Sequence, residues 1–236
     1  MTLRSTISTS EGKRRYVRRL FATIADRYDF ITGFLSYGQD RRWKQQLIAL
    51  AGIGPMERVL DVACGTGDLL FAAARRARYS VGLDVTLRML ELAAERKGAG
   101  HLVTGDMVAL PFGESCFDVV TTGYGLRNVP DLPSAIHEIH RVLVPGGRFL
   151  SLDFDKPANP LVRRAYLAYL TVVGSALGFV LHRDPNTYRY IPESIRQYPG
   201  ATGVARCIEA AGFTDVQVVA LLGGLMAIHV ARKSSL

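Results

Sequence analysis

From residue 58 onward, short runs of aliphatic and β-branched residues alternate with longer stretches whose apolar positions recur every three or four residues. The short runs predict strands over 58–63, 80–84, 101–105, 117–122 and 148–154. The longer stretches predict helices over 68–78, 87–96 and 133–143. Strands that alternate with helices argue for βαβ units, hence a mostly parallel sheet covered on both faces. Pro145-Gly146-Gly147 reads as the turn that ends the last of these helices and introduces strand 148–154. Two further runs, 216–221 and 227–231, flank Gly223-Gly224 and predict an antiparallel hairpin at the sheet edge.

Two segments stand outside this alternation. Residues 11–51 precede the sheet and read as mostly helical and basic. Residues 155–200 interrupt the pattern between one strand and the next helix. The expected organisation is therefore a helical cover over 1–51 and an α/β domain over 52–236, with a covering insertion at 155–200. Within the insertion, 165–181 carries no charge and holds Gly174 and Gly178. A membrane-spanning helix needs about 20 apolar residues, so burial in the fold or the lining of an apolar groove is the favoured expectation.

The chain has 236 residues, 48% of them hydrophobic, which is enough for one sizeable core. Its formal charge of +8 points to an anionic partner, nucleic acid or a membrane surface. Cys64, Cys116 and Cys207 show no metal-site spacing and read as buried thiols in a reducing compartment. The N-terminal stretch lacks the apolar core of a signal peptide, so the expected location is cytoplasmic.

The chemistry is concentrated at strand ends. "DVACGTGD", residues 61–68, closes the first strand, the place where open α/β sheets bind ligands. No lysine follows the glycines, which excludes a Walker loop, and Leu70 stands where a dinucleotide fingerprint would carry its third glycine. Asp61 and Asp68 bracket the turn with negative charge, which repels a pyrophosphate and suits a cation. S-adenosylmethionine, a sulfonium carrying an amino group, fits Asp61, Gly65, Thr66 and Gly67 better than a dinucleotide does. Asp84 ends the second strand, where an acid accepts hydrogen bonds from ribose hydroxyls; the alternative is a cap on the next helix. Asp106 and Met107 follow the third strand, where the acid meets the adenine amine or is a solvated turn residue. The set predicts a class I S-adenosylmethionine-dependent methyltransferase fold, a Rossmann-like sheet of seven strands, mostly parallel, with the antiparallel hairpin at its edge. No metal constellation is visible.

"FATIADRYDF" at 21–30, "LSYGQDRRWK" at 35–44, "TTGYGLRNVPD" at 121–131, "LVPGGRFLSLDFDKP" at 143–157 and "YRYIPESIRQYPG" at 188–200 together resemble the UbiE/MenG-type quinone-biosynthesis C-methyltransferase family. The resemblance runs over about residues 17–233. It implies S-adenosylmethionine contacts at Thr66, Asp84, Asp106 and Met107, and at Gly123, where the family's "SFGLRN" version often carries serine. It implies, as substrate, a polyprenylated quinol of menaquinone or ubiquinone biosynthesis, with the two branches left open. Arg127 of "GLRN" is expected nearest the acceptor ring, stabilising a developing phenolate, or else held in a structural ion pair. Asn128 orients the quinol or holds the loop. Tyr28 relays a proton or contacts the ring, and Tyr124, Tyr188 and Tyr190 contact it, with plain packing as each one's alternative. His137 and His140 read as partly exposed helix residues and not as a catalytic pair. A greasy substrate implies peripheral contact with a membrane surface through the basic and apolar stretch at 13–35. A homodimer is an open alternative. The rival readings are another small aromatic or lipid acceptor, an RNA-modifying protein, and a dinucleotide oxidoreductase. RNA is disfavoured because the basic residues cluster at the N-terminus without a recognition motif.

Overall fold

The computed structural model describes residues 3–235, apart from the side chains of Arg4 and Ser5. The cover is helical: α1 (Leu3–Thr6), α2 (Ser10–Ile24), a 3-10 turn at Ala25–Arg27, α3 (Tyr28–Leu35) and α4 (Asp40–Ala51). Thr9 starts α2 by accepting the Gly12 amide on its hydroxyl, and Gly52 ends α4 in the left-handed conformation. The alternation follows as β1 (Arg58–Val62), α5 (Asp68–Ala74), β2 (Tyr79–Asp84), α6 (Leu87–Glu95), β3 (His101–Thr104), β4 (Phe117–Gly123), α7 (Leu132–Val142) and β5 (Leu143–Phe154). The insertion supplies α8 (Pro160–His182) and α9 (Tyr190–Gln197), and α10 (Gly200–Ala210), β6 (Phe213–Leu221) and β7 (Met226–Lys233) complete the chain.

The seven strands run in the order β3-β2-β1-β4-β5-β7-β6. The first five are parallel, and β7 is antiparallel to both β5 and β6. The order reverses between β1 and β4, so the crevice at their carboxyl ends is the natural ligand position. On one face, Leu60, Val120 and Phe149 pack under α7 and α10; on the other, Val59, Val119 and Leu150 pack under α4 and α5. A third cluster joins Val17, Leu20, Ile24 and Ile31 of the cover to Tyr188 and Tyr190 of the insertion. Cover and insertion thus pack on each other above the sheet.

Four expectations are corrected. The helix predicted over 68–78 stops at Ala74, because Arg78 and Tyr79 turn back to donate their amides to the Glu57 carbonyl. The strand predicted over 148–154 begins at Leu143: the Pro-Gly-Gly stretch is a bulge inside a paired strand, with Phe117 opposite Leu143 and Val119 opposite Arg148. Of the three thiols only Cys64 is buried. The uncharged run 165–181 lies in α8, of whose most apolar stretch only 17% is enclosed, so burial is corrected, while Tyr166 of the run lines an apolar cleft.

Candidate functional site

Asp61 stands in a strand otherwise lined with Val59, Leu60 and Val62, all fully buried. Its register partner on β4 is Thr121, whose hydroxyl donates to Asp61 Oδ1 at 2.8 Å. The other oxygen, Oδ2, is buried without a partner. Burial pushes the Asp61 carboxyl up to about 7, the Thr121 hydrogen bond opposing it. A buried carboxylate oxygen without a hydrogen-bond partner is a feature that a cationic ligand would satisfy.

The glycine turn wraps over it. Gly65 adopts φ +54° and donates its amide to Asp84 Oδ2 at 2.9 Å; Thr86 donates its amide to Asp84 Oδ1 at 2.8 Å. Asp84 therefore stitches the turn to the end of β2 and does not cap α6, whose first residues make no side-chain cap bond. Burial raises its carboxyl against these hydrogen bonds. Gly67, at φ +89°, starts α5, and a Cβ on it would meet the Phe71 ring. Thr66 donates its hydroxyl to Asp29 Oδ1 of the cover at 2.7 Å.

Three clefts meet here. The first, about 720 Å³, runs past Gly65, Asp84, Asp106, Met107, Gly123 and Asn128. Asp106 in it accepts the Val108 amide and faces Arg14 of α2 at 3.3 Å. The second, about 320 Å³, holds Asp61, Thr66, Asp68 and Lys44. Lys44 gives two of its three donors to Asp40 (2.7 Å) and Asp68 (2.8 Å) and stays firmly charged between them. The third, about 760 Å³, is mostly apolar, with Ile31, Leu35, Trp43, Phe154, Tyr166 and Met226 on its walls. Tyr28 and Tyr124 line all three.

The motif after β4 forms the partition. Arg127 is 7% exposed, faces Asp153 at 3.2 Å, and lies 4.8 Å over the Phe154 ring. The ion-pair alternative for Arg127 is thus realised, while its side chain still lines the apolar cleft. Asn128 locks the loop: Nδ2 donates to the Tyr124 carbonyl, and Oδ1 accepts from Arg127 and from the Tyr190 hydroxyl at 2.9 Å. Tyr188 lines the apolar cleft and hydrogen-bonds His182 at 2.8 Å. Burial is the first cause raising the phenols of Tyr28, Tyr124, Tyr188 and Tyr190, so each is a neutral donor near pH 7 and none is a resting base. His137 is exposed and His140 packs edge-on to Phe213.

Sequence reasoning missed Asp40, Lys44 and Lys13. The i, i+4 spacing of Asp40 and Lys44 on one helix was a readable signal. Lys13 lies within a basic run that resembles an ordinary solvated face. Burial first, then the charge of Arg127, lowers its amine to about 8, with Asp153 opposing.

The strand order, the glycine turn after β1 and the acids at the ends of the first three strands define a class I S-adenosylmethionine-dependent methyltransferase. The pattern of the ubiE/COQ5 methyltransferase family matches residues 9–233, and the chain belongs to that family. The demethylmenaquinone methyltransferase of Mycobacterium sp. (strain KMS) is 39% identical over 226 residues, 96% of this chain and 97% of that protein. The demethylmenaquinone methyltransferase of Staphylococcus aureus (strain JH9) is 32% identical over 233 residues, 96% of this chain and 97% of that protein. Among solved structures, an S-adenosylmethionine-dependent methyltransferase of Thermotoga maritima superposes with a TM-score of 0.67 at 17% identity, over 92% of this chain and all of that one. Phosphoethanolamine N-methyltransferase 2 of Haemonchus contortus, solved with S-adenosyl-L-methionine, gives 0.60 at 15% identity, over 82% of this chain and 52% of that one. These two establish the fold alone.

Proposed function

We propose that this chain methylates a ring carbon of a polyprenylated quinol, demethylmenaquinol, as its relatives' names suggest. It does so as a peripheral protein at a membrane, with 1–51 and 155–200 as the covers of the site. The observation that carries this reading is that a cleft holding the acids Asp84 and Asp106 meets an acid-free apolar cleft at Tyr28 and Tyr124. The cofactor supplies an electrophilic methyl group, and the residues present suit it. Asp61 Oδ2, which lacks a hydrogen-bond partner, would hold the cationic amino end, and the third donor of Lys44 would hold the carboxylate. Asp84 would hold the ribose and Asp106 and Met107 the adenine, and Gly65 would let the backbone approach closely, all four lining one cleft.

A quinol ring in the apolar cleft is electron-rich, and shifting its hydroxyl toward phenolate makes it more so. Arg127 stabilises that developing negative charge within a site from which apolar walls exclude water. Tyr28, which stays protonated, donates a hydrogen bond, and the Tyr124 ring, its hydroxyl already given to Asp40, holds the quinol by packing. Asn128 keeps Arg127, Tyr124 and Tyr190 in register. One proton leaves the ring carbon per methyl gained.

The test offers demethylmenaquinol and 2-methoxy-6-polyprenyl benzoquinol side by side with S-adenosylmethionine. Methyl transfer to the naphthoquinol is the expected result. Binding of S-adenosylhomocysteine without transfer to either quinol would refute the substrate and leave the fold class standing.

A further inference from the structure

Resting on the reading of a polyprenylated substrate, we propose that α8 and α3 form a face that lies flat on a lipid bilayer above the apolar cleft. The first observation is that α8 is amphipathic in the wrong sense. Its inward face carries Leu170, Gly174 and Gly178. A Cβ on Gly174 would lie 3.1 Å from the Tyr188 carbonyl, and one on Gly178 2.5 Å from that of Asp184, so this face is pressed against protein. The outward stripe is Ala165, Ala168, Val172, Ala176 and Phe179, at steps of three and four residues, and all of it is exposed. Val172 is 69% exposed and Phe179 64%. A helix face that meets water is ordinarily polar, and a contiguous apolar one marks an interaction surface.

The surface continues onto α3. Phe30 and Phe34 are exposed, with their rings stacked 6.3 Å apart. Tyr37, just after α3, stacks on Tyr169 of α8 at 6.0 Å, and Arg27 donates to the Leu181 carbonyl, so the two helices share one face. The inner sides of the same helices line the apolar cleft with Ile31, Leu35 and Tyr166. A chain leaving the cleft between them passes directly into whatever covers the outer face.

Charge selects the occupant. Exposed Arg163 and Arg164 stand at one end of α8 and Arg183 at the other, and α8 itself holds no acid. Asp184 follows but is occupied by Asn186. Apolar side chains between arginines suit the acyl and headgroup layers of an anionic membrane. A second copy docked through a two-fold axis would bring Arg163 and Arg164 against the other copy's Arg183, like charge on like. Although α8 is long and apolar enough to span a bilayer, its packed glycine face fits a helix that lies on one.

The experiment floats the full chain, without quinol, on vesicles of phosphatidylcholine alone or mixed with phosphatidylglycerol. Two double variants are compared, Val172→Asp with Phe179→Asp, and Phe30→Ser with Phe34→Ser. An unchanged thermal shift on adding S-adenosylhomocysteine confirms that each is folded. The expected result is retention on the mixed vesicles, reduced about tenfold or more in both variants, because several buried apolar groups are lost. Wild-type protein that fails to float, or folded variants that float equally well, would overturn the proposal. So would a wild-type dimer in sedimentation equilibrium that the α8 variant converts to monomer while flotation is unaffected. Flotation lost in the variants, together with no methyl transfer to any quinol, would instead sink the substrate reading and keep the surface.

Discussion

The hydroxyl of Tyr124 donates a 2.6 Å hydrogen bond to Asp40 Oδ1, tying the end of β4 to the first turn of α4. Asp40 in turn holds Lys44, and Lys44 holds Asp68 at the start of α5. Tyr124 is itself fixed from the backbone side: its amide donates to the Leu152 carbonyl, its carbonyl accepts from Asn128, and its φ is +60°. The ring at the seam of the three clefts is thereby immobilised at both ends.

Tyr124→Phe removes a charge-assisted hydrogen bond between buried groups. A loss of about 1–3 kcal/mol in denaturant unfolding is expected. Turnover should fall while affinity for S-adenosylhomocysteine changes little, because the ring and not the cofactor contacts is loosened. In a double-mutant cycle with Asp40→Asn the two changes should be strongly non-additive. Additive effects would mean that the contact contributes nothing of its own.

Arg127 is both a wall of the apolar cleft and the partner of buried Asp153. Arg127→Ala leaves that carboxylate uncompensated, and a loss of about 3–5 kcal/mol of stability is expected alongside lost activity. Arg127→Lys separates the roles: it keeps a charge but not the planar fork that bonds Asn128. It should fold nearly normally by circular dichroism yet turn over slowly. Asp84→Ala, by contrast, should chiefly weaken S-adenosylhomocysteine binding, since Asp84 braces Gly65 in the cleft that also holds Asp106 and Met107.

The central strands were legible because an apolar run between glycines has few other uses, and β1 and β4 fall within a residue or two of their predicted limits. Asp84 and Gly65 were both legible as cleft residues, but the bond between them was not, since nothing local links a strand end to a turn 19 positions away. Pro145-Gly146-Gly147 misled because a bulge and a chain reversal use the same residues. Gly67 has a positive φ that serves the start of α5. The apolar run in α8 misled in part: Tyr166 lines the apolar cleft, but most of the helix is not buried. Apolar composition says that a side chain avoids water, and it does not say whether protein or lipid removes it.

Gly67 and Gly65 make a matched pair. Each has a positive φ, so a substitution to alanine should cost about 1–2 kcal/mol at either position. A Cβ on Gly67 would in addition meet the Phe71 ring at 2.6 Å, which makes it the more destabilising. Only Gly65 lines the clefts. Calorimetry with S-adenosylhomocysteine, below the unfolding temperature of either variant, should show weakened binding for Gly65→Ala and near-normal binding for Gly67→Ala. Equal weakening would place Gly67 in the cofactor site after all.

Asp61 gives the pH dependence. Its carboxyl titrates at about 7 in the folded chain against an ordinary 3.8, so between those values the folded protein holds a proton that the unfolded chain has released. The contribution to stability of the ligand-free protein is therefore fully present below about pH 4 and lost as pH rises through 7. Ligand binding has the opposite sign, because the cationic amino end pairs with the carboxylate and not with the acid. Affinity for S-adenosylhomocysteine should rise up to about tenfold per pH unit below 7 and level off above it. Asp61→Asn should bind more weakly at pH 8, flatten the affinity profile, and abolish the decline in ligand-free melting temperature. A variant that keeps the wild-type pH profile would show that another group carries the titration, and that the orphaned oxygen of Asp61 is not where the amino end binds.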